Sequence, residues 1–228
     1  MSLLQKSCLN SSYSQEDLAA CLHMPPGGGF SGYIQALEQA DFVKVFSPLS
    51  VTGQGQKTKK IVLWDEWLRF YFSYIKPNKH VIDMNSQPGL CQQLTGKSME
   101  IYFGLAFERF CIKNISGLLS GAGIALNEIL GYGPFFRQPG RKGQSDAGLQ
   151  IDILVHRRGH ILSVFECKFQ TSPVGMAVIQ EVERKVALLR PKRFYTIEKM
   201  LVCAGPVTRD LEQSGYFHKI LSLDALFT

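Results

Sequence analysis

Two apolar stretches of the sequence each contain charged side chains that could do chemistry together. Asp152 lies within "LQIDILV", and Glu166 and Lys168 lie within "FECKF". Both stretches are typical of strands in a sheet interior, where an isolated charge is costly unless a partner neutralises it. Two carboxylates and an ammonium at one point could hold a divalent cation, which can activate water for attack on a phosphodiester.

The two stretches predict a β-hairpin whose three-residue turn is centred on Gly159. In this register Asp152 lies opposite Glu166, and opposed side chains share a face with Cβ atoms ~5 Å apart. The alternation of a strand then puts Lys168 on the face of Glu166. A two-residue turn would instead pair Asp152 with Phe165 and separate the charges. The apolar neighbours are expected on the opposite face, toward the core: Ile151, Ile153, Val155, Phe165 and Cys167.

A third carboxylate, Glu108, lies in the apolar helical segment "YFGLAFERFCIKNI". Tyr102, Leu105 and Phe110 are expected to form much of the buried face of this helix, so Glu108 lies near its apolar stripe. Mg²⁺ or Mn²⁺ would suit carboxylates gathered at one point. The alternative is a local Glu166–Lys168 ion pair on a solvated sheet face.

These residues resemble the PD-(D/E)XK nuclease superfamily, in which a helix supplies a glutamate and two central strands supply the D and the (D/E)-x-K. The resemblance implies an α/β fold with a central mixed sheet. It also implies that Glu108, Asp152 and Glu166 hold metal, and that Asp152, Glu166 and Lys168 are catalytic. Lys168 would lie near the attacking water or stabilise the charge of the transition state. Auxiliary polar groups are expected on the helix after the motif, at Gln180 and Lys185, unless these lie on a solvated helix face.

The order of elements in the second half of the chain independently predicts an α/β domain over residues 91–228. One helix is expected over about residues 97–119, and further helices in "SPVGMAVIQEVERKVALLR" and "VTRDLEQSGY". Strands are expected in the segments "GIALNEILGY", "LQIDILVH", "HILSVFECKF", "EKMLVCAG" and "KILSLDAL".

Residues 1–63 predict a small winged helix-turn-helix domain, with three helices and a two-stranded ribbon. The helices are expected near Leu3, in "QEDLAACL" after a Ser14 cap, and in "FSGYIQALEQADF". The last carries Glu38 and Asp41 but no Lys or Arg, so both DNA binding and a spacer role stay open. Residues 64–90 predict an aromatic helical linker between the domains. The ribbon tip offers candidate phosphate contacts, or a solvated loop, at Lys57, Lys59 and Lys60.

A wider resemblance covers nearly the whole chain. The winged helix, "DEWLRFYFSYIKPN", "GLAFERF", "IDILV" and "ECKF" resemble the C-terminal half of a prokaryotic AAA-type, archaeal-ATPase-like family. This resemblance implies an N-terminal P-loop ATPase domain that is absent from this chain, and an ATPase as a partner. Gly96-Lys97-Ser98 matches only the end of a P-loop, because Cys91 replaces the earlier glycine. No nucleotide site is therefore predicted here.

The composition favours an acidic partner and a reducing compartment. Lys and Arg number 25 against 19 Asp and Glu, a formal net charge of +6, so DNA is the expected partner. The 6 cysteines show no C-x-x-C spacing and are expected to be buried thiols in the cytoplasm. No signal peptide or membrane span is predicted. The basic residues expected to follow a phosphate backbone, or else to form solvated loops, are Arg137, Arg141, Lys142, Arg157 and Arg158.

Two functions follow from these patterns. The first is a Mg²⁺-dependent DNA nuclease, either an endonuclease or an exonuclease, which includes a toxin-like or defence nuclease as a variant. The alternative is a non-catalytic module that binds DNA or protein and regulates an AAA-type ATPase. The two differ in whether the three carboxylates converge on an open groove.

Overall fold

The chain divides into two compact units in the computed structural model. Unit 1 comprises Met1–Ser47 and Gln56–Met99, and unit 2 comprises Pro48–Gly55 and Glu100–Thr228. The residues that the structure describes are 12–25, 27–49, 59–84, 88–96, 98–137, 148–189 and 193–226.

Unit 1 contains helices α1 (Gln15–Leu22) and α2 (Gly28–Gln39) and an antiparallel pair of strands, β1 (Val43–Phe46) and β2 (Lys60–Leu63). Ser14 caps α1 as predicted, because its side chain accepts a hydrogen bond from the backbone N–H of Asp17. The helix expected near Leu3 lies outside the described residues, so the winged helix stays a prediction. One cluster of buried apolar side chains in this unit comes from α1, α2 and both strands: Leu18, Ala19, Phe30, Ile34, Val43, Ile61 and Leu63.

The aromatic segment of unit 1 is helical, as predicted, but its pitch changes along its length. A π-helical turn and a 3₁₀ turn separate α3 (Glu66–Phe70) from α4 (Lys79–Met84). Pro77 explains the change, since its ring cannot fit against the carbonyl group four residues earlier in a regular α-helix. A short helix α5 (Leu90–Thr95) follows.

Unit 2 is built on a five-stranded mixed sheet. The bounds of its elements are α6 Ser98–Lys113, α7 Ile115–Gly121, β3 Ile129–Arg137, β4 Leu149–Arg157, β5 Ile161–Lys168, α8 Ala177–Leu189, β6 Thr196–Cys203, α9 Arg209–Gln213 and β7 Lys219–Ser222. The strand order is β3-β4-β5-β6-β7. The first three strands are antiparallel neighbours, whereas β5, β6 and β7 run parallel. Helix α8 makes the crossover from β5 to β6, and α9 lies between β6 and β7.

Helices cover both faces of this sheet. Phe107 and Cys111 of α6 and Leu118 of α7 pack against one face, together with Ile153 and Phe165. Side chains of α8 and α9 pack against the other face, in two clusters of buried apolar residues. The predicted α/β fold with a central mixed sheet is confirmed, and its elements follow the predicted order of helix, hairpin, helix and strand.

The predicted hairpin register is confirmed, since Val155 pairs with Ser163 and Arg157 with Ile161. One expected side-chain direction in it is wrong: Ile151 packs with Leu154 on the α8 side of the sheet rather than with Ile153. The cause is a β-bulge that places one extra residue in β4. The bulge lies opposite a proline in β3, which has no N–H to donate to a regular ladder.

Three other local predictions are also wrong. The single helix expected over about residues 97–119 is two helices, α6 and α7, which are separated at Asn114. Leu105, expected in the buried face of α6, is 44% exposed, because Phe107 and Cys111 point to the core instead. The first strand of the sheet begins at Ile129, later than predicted, because a short 3₁₀ turn (Leu126–Glu128) precedes it.

The composition-based expectations have mixed outcomes. Among the described cysteines Cys111, Cys167 and Cys203 are buried as expected, whereas Cys91 is exposed and Cys21 is half-buried. In the described part of the chain, every helix is too short or too polar to cross a membrane.

Gly205 is required where the loop after β6 passes the loop after β5. A Cβ atom at this position would lie 2.3 Å from the carbonyl oxygen of Gln170, so the backbone would have to move. We expect Gly205→Ala to destabilise the protein by about 1–3 kcal/mol, measured by urea unfolding.

Gly175→Ala is the matched control. Its added Cβ would meet only the Thr208 methyl group, at an ordinary 3.8 Å, so the free energy of unfolding should change little. Equal losses in both variants would contradict the close approach at Gly205.

Candidate active site

Strands β4 and β5 separate at the end of the hairpin that carries Asp152. The described ladder between these strands ends at the pair Ile153–Phe165. Beyond that pair, the backbone N–H of Cys167 donates to Oδ2 of Asp152 at 2.8 Å. The aspartate side chain thus takes the place of a main-chain acceptor, which fixes its carboxylate beside Glu166.

Glu166 is almost completely buried, with 1% of its surface exposed. Its Oε1 lies 2.8 Å from Nζ of Lys168, as the predicted shared face requires. Its Oε2 accepts a hydrogen bond from Nζ of Lys185 on α8, at 2.6 Å. Both carboxylate oxygens are therefore paired with ammonium groups.

Lys185 is the cation that faces both strand carboxylates. It is 8% exposed, and its Nζ lies 3.8 Å from Oδ1 of Asp152 as well as 2.6 Å from Oε2 of Glu166. The crowding of these two acids is therefore relieved by a lysine, whereas the sequence argument assigned that role to a metal ion. The alternative of a local Glu166–Lys168 pair on a solvated face is wrong, because Glu166 is buried.

Glu181 is a residue that sequence reasoning missed. Its Oε2 lies 2.8 Å from Nζ of Lys168, and its Oε1 lies 3.6 Å from Nζ of Lys185, one turn later on α8. The Glu-to-Lys spacing of four residues was the available signal. Of the two predicted auxiliary residues, Lys185 lies beside Glu166, whereas Gln180 is exposed. Gln180 is adjacent to Glu181, and adjacent helical residues point about 100° apart.

These side chains open onto a cleft of about 530 Å³. Glu108 of α6 lies on its wall, where Nε2 of Gln150 donates to Oε2 of Glu108 at 3.5 Å. The cleft thus joins the predicted helical glutamate to the hairpin residues. The described residues that line it are Glu108, Phe136, Arg137, Gly148, Leu149, Gln150, Asp152, Glu166, Cys167, Lys168, Glu181, Arg184 and Lys185.

Burial and mutual repulsion raise the pKa values of two of the acids, Asp152 and Glu108. Burial, reinforced by the charge of Glu166, raises the pKa of Asp152 to about 6. Burial and the charge of Asp152 raise the pKa of Glu108 to about 8. Lys185 opposes both shifts but does not cancel them.

The two lysines keep their protons. Burial alone would lower the pKa of Lys168, but Glu166 and Glu181 raise it above its ordinary value. Burial would likewise lower the pKa of Lys185, but the negative charges of Asp152 and Glu166 outweigh burial and raise that pKa above its ordinary value. The surrounding acids therefore hold both amines as ammonium ions in the cation-free protein.

Two carboxylates of the site, those of Asp152 and Glu166, are suited to hold a divalent cation. Among the described side chains, no group of three or more acidic, histidine or cysteine residues is placed to hold a metal ion. Asp152 and Glu166 nevertheless face a single cationic point, now taken by the Lys185 ammonium. Mg²⁺ commonly binds one or two carboxylates and keeps several waters, so this pair suits it. Glu108 lies on the wall of the same cleft.

The residues that were predicted to bind phosphate lie in different parts of the structure. Arg137 lines the cleft and donates through Nη2 to the carbonyl oxygen of Leu188 at 2.6 Å. Lys59 is exposed and Lys60 half-buried, both in unit 1. Arg141, Lys142 and Lys57 lie outside the described residues.

Arg157 does not lie at the cleft. It is buried at the hairpin turn, where it forms ion pairs with Glu128 and Glu198 and donates to Oγ of Ser163. Five residues of strand separate it from Asp152, which is ~17 Å. Arg158 is exposed at the same turn and donates to the carbonyl oxygen of Asn127. The predicted contact of Arg157 with a phosphate backbone is wrong, because Arg157 is buried and its guanidinium is already paired with Glu128 and Glu198.

Similar solved structures include a protein from Vibrio cholerae, 12% identical over 98% of this chain with a TM-score of 0.41. A repair endonuclease from Pyrococcus abyssi is 16% identical over 49% of this chain, with a TM-score of 0.31. Can2 from Sulfobacillus thermosulfidooxidans, in complex with cyclic tetra-adenylate, is 11% identical over 99%, with a TM-score of 0.31. This chain spans about half of each of those chains, at 46%, 46% and 47%. No family model and no curated protein matches the sequence. Likenesses this distant assign no activity.

The raised pKa of Glu108 makes stability depend on pH. The pKa of Glu108 is about 8 in the folded protein, above its ordinary value of 4.5. Between pH 4.5 and about pH 8 the folded state therefore holds a proton that the unfolded state releases. Stability therefore falls as pH rises through this window. In buffer with a metal chelator, Glu108→Gln should remove that loss and stabilise the protein by roughly 1–3 kcal/mol above pH 8, with little effect near pH 4.5.

The measurement is the Tm of parent and variant across this pH range. Glu212→Gln serves as the control, because Glu212 is exposed on α9, away from the cleft. A Glu108→Gln protein that is less stable than the parent at every pH would contradict the assigned burial and repulsion.

Proposed function

We propose that unit 2 is a Mg²⁺-dependent phosphodiesterase domain that cleaves DNA. One observation carries the proposal: Asp152 of β4, Glu166 and Lys168 of β5, and Glu108 of α6 line the same cleft. An acid from a helix with an acid, an acid and a lysine from a hairpin is the donor pattern of the PD-(D/E)XK superfamily. The matching residue types are present at all of these positions in this chain.

Asp152 and Glu166 would hold the cation. A bound Mg²⁺ supplies Lewis acidity, which polarises a phosphate group and makes water a stronger acid. The hydrogen bond from the Cys167 N–H to Asp152 keeps that carboxylate facing Glu166, so both acids are oriented before any cation arrives. Glu108 would face the same region from the helix.

Lys168 would stabilise negative charge on the phosphate as it develops. Glu166 and Glu181 hold its ammonium, each at 2.8 Å, and raise its pKa. A protonated amine donates hydrogen bonds and positive charge but does not remove a proton from water. Of the two roles expected for Lys168, charge stabilisation is therefore the one we favour.

DNA is the substrate we favour on grounds of charge. Arg137 and Arg184 line the cleft, and Arg184 is exposed there. The chain has a formal net charge of +6. Positive side chains beside a catalytic cleft suit the phosphate backbone of a nucleic acid.

A second candidate is a non-catalytic binding module. The observation that favours it is the complete pairing of Glu166, whose two oxygens each contact a lysine. In both readings we propose, from the wider resemblance, that unit 1 is a winged helix and that an AAA-type ATPase is a partner.

Plasmid cleavage tests the proposal. With Mg²⁺ or Mn²⁺, the purified protein should nick supercoiled DNA, and a chelator should stop the reaction. Asp152→Asn should abolish cleavage, because it removes a ligand charge. Lys168→Met should slow cleavage on the order of 100-fold, because it removes the stabilising ammonium.

Lys199→Met is the matched control, because it removes a lysine that pairs with Glu183 instead of lining the cleft. It should cleave at the parent rate. Equal cleavage by all four proteins would indicate a contaminating nuclease. Failure of the folded parent to cleave duplex or single-stranded DNA would reject the nuclease and favour the binding module.

A further inference from the structure

Lys185 and Glu181 are opposite charges one turn apart on α8, beside the two strand carboxylates. The Lys185 ammonium is 2.6 Å from Oε2 of Glu166 and 3.8 Å from Oδ1 of Asp152. It is also 3.6 Å from Oε1 of Glu181. One ammonium therefore lies within ion-pair distance of three acids.

The position of this ammonium conflicts with that of a divalent cation. Two cations that use the same carboxylate oxygens repel each other strongly in a partly desolvated site. A buried ammonium also cannot simply lose its partner, because an unpaired buried charge costs several kcal/mol. Lys185 must therefore find another acceptor if a cation binds Asp152 and Glu166.

We propose that Lys185 is an internal counter-ion that competes with the divalent cation for Asp152 and Glu166, and that Glu181 accepts its ammonium when the cation binds. The inference rests on the proposed function, because it requires a cation site at these two acids. It adds Lys185 and Glu181 as the residue pair that sets the affinity of that site for the cation.

Glu181 is suited to this exchange by its position. Its Oε1 already lies within ion-pair distance of Lys185, so rotation of the lysine side chain is enough and α8 need not move. The side chain of Glu181 is 39% exposed, so water can complete its hydration in either state. Its other oxygen, Oε2, holds Lys168, and one carboxylate can thus serve both lysines.

Because Lys185 competes for the two acids, the cation binds more weakly than it would bind to Asp152 and Glu166 alone. It also stabilises the cation-free protein, because Lys185 offsets the repulsion between Asp152 and Glu166. Removal of Lys185 should therefore strengthen cation binding and weaken the cation-free fold. A lysine with only a packing role would change stability without strengthening binding.

Isothermal titration calorimetry with MnCl₂ and MgCl₂ tests the proposal without measuring cleavage. Lys185→Met should bind Mn²⁺ on the order of tenfold more tightly than the parent, since one nearby positive charge is removed. Lys199→Met, which removes the same charge outside the cleft, should match the parent. Lys185→Met should also have a lower Tm than the parent in chelator.

Glu181→Gln tests the second half of the proposal. In the parent background it should weaken Mn²⁺ binding several-fold, because the displaced ammonium loses its acceptor and a nearby negative charge is removed. In the Lys185→Met background only the second effect remains, so the loss should be smaller. Equal losses in both backgrounds would reject the exchange.

The outcomes separate this inference from the proposed function. If the parent binds Mn²⁺ and Lys185→Met binds it equally or more weakly, the counter-ion role is overturned and the nuclease proposal survives. If neither protein binds Mn²⁺ or Mg²⁺, both proposals fail. Lys185→Gln, which keeps a donor for Glu166 without the charge, replaces Lys185→Met if the methionine variant does not fold, and the same tighter binding is expected.

Discussion

Asp152 and Glu166 are buried carboxylates that share one ammonium group, and this arrangement constrains much of unit 2. Acids this close in a partly dry environment repel each other and lose hydration, so the fold must bring positive charge to them. Helix α8 does so from the face of the sheet on which Glu166 lies, because its Lys185 reaches both acids. Burial and the charge of Glu166 still raise the pKa of Asp152 to about 6, so the charge of Lys185 offsets these two effects only in part.

The backbone prepares this pair through an interruption of the sheet. The bulge in β4 moves Ile151 to the α8 side of the sheet, next to the point where the ladder to β5 ends. Asp152 can then satisfy the Cys167 N–H with its side chain. A regular ladder would have used a main-chain carbonyl group there and left the carboxylate without this restraint. The sheet thus gives up one regular main-chain pairing to orient the carboxylate of Asp152.

The hairpin could be predicted because its register depends on local rules. Turn length and alternation alone place Asp152 opposite Glu166, with Lys168 on the same face. The direction of Ile151 could not be predicted this way, since a bulge breaks the alternation and depends on the neighbouring strand. The pairing of Arg157 with Glu128 and Glu198 joins residues distant in sequence, and no local pattern reveals it. Lys185 was found through a resemblance, whereas Glu181 depends on how α8 is rotated against the sheet.

Diffraction from crystals soaked in MnCl₂ would show whether a cation binds between Asp152 and Glu166, because the anomalous signal of manganese locates the ion. We expect a peak at about 2–2.5 Å from oxygens of Asp152 and Glu166, with the Lys185 ammonium moved to Glu181. A soaked crystal in which no peak lies at this pair, and in which Lys185 still contacts Glu166, would contradict it.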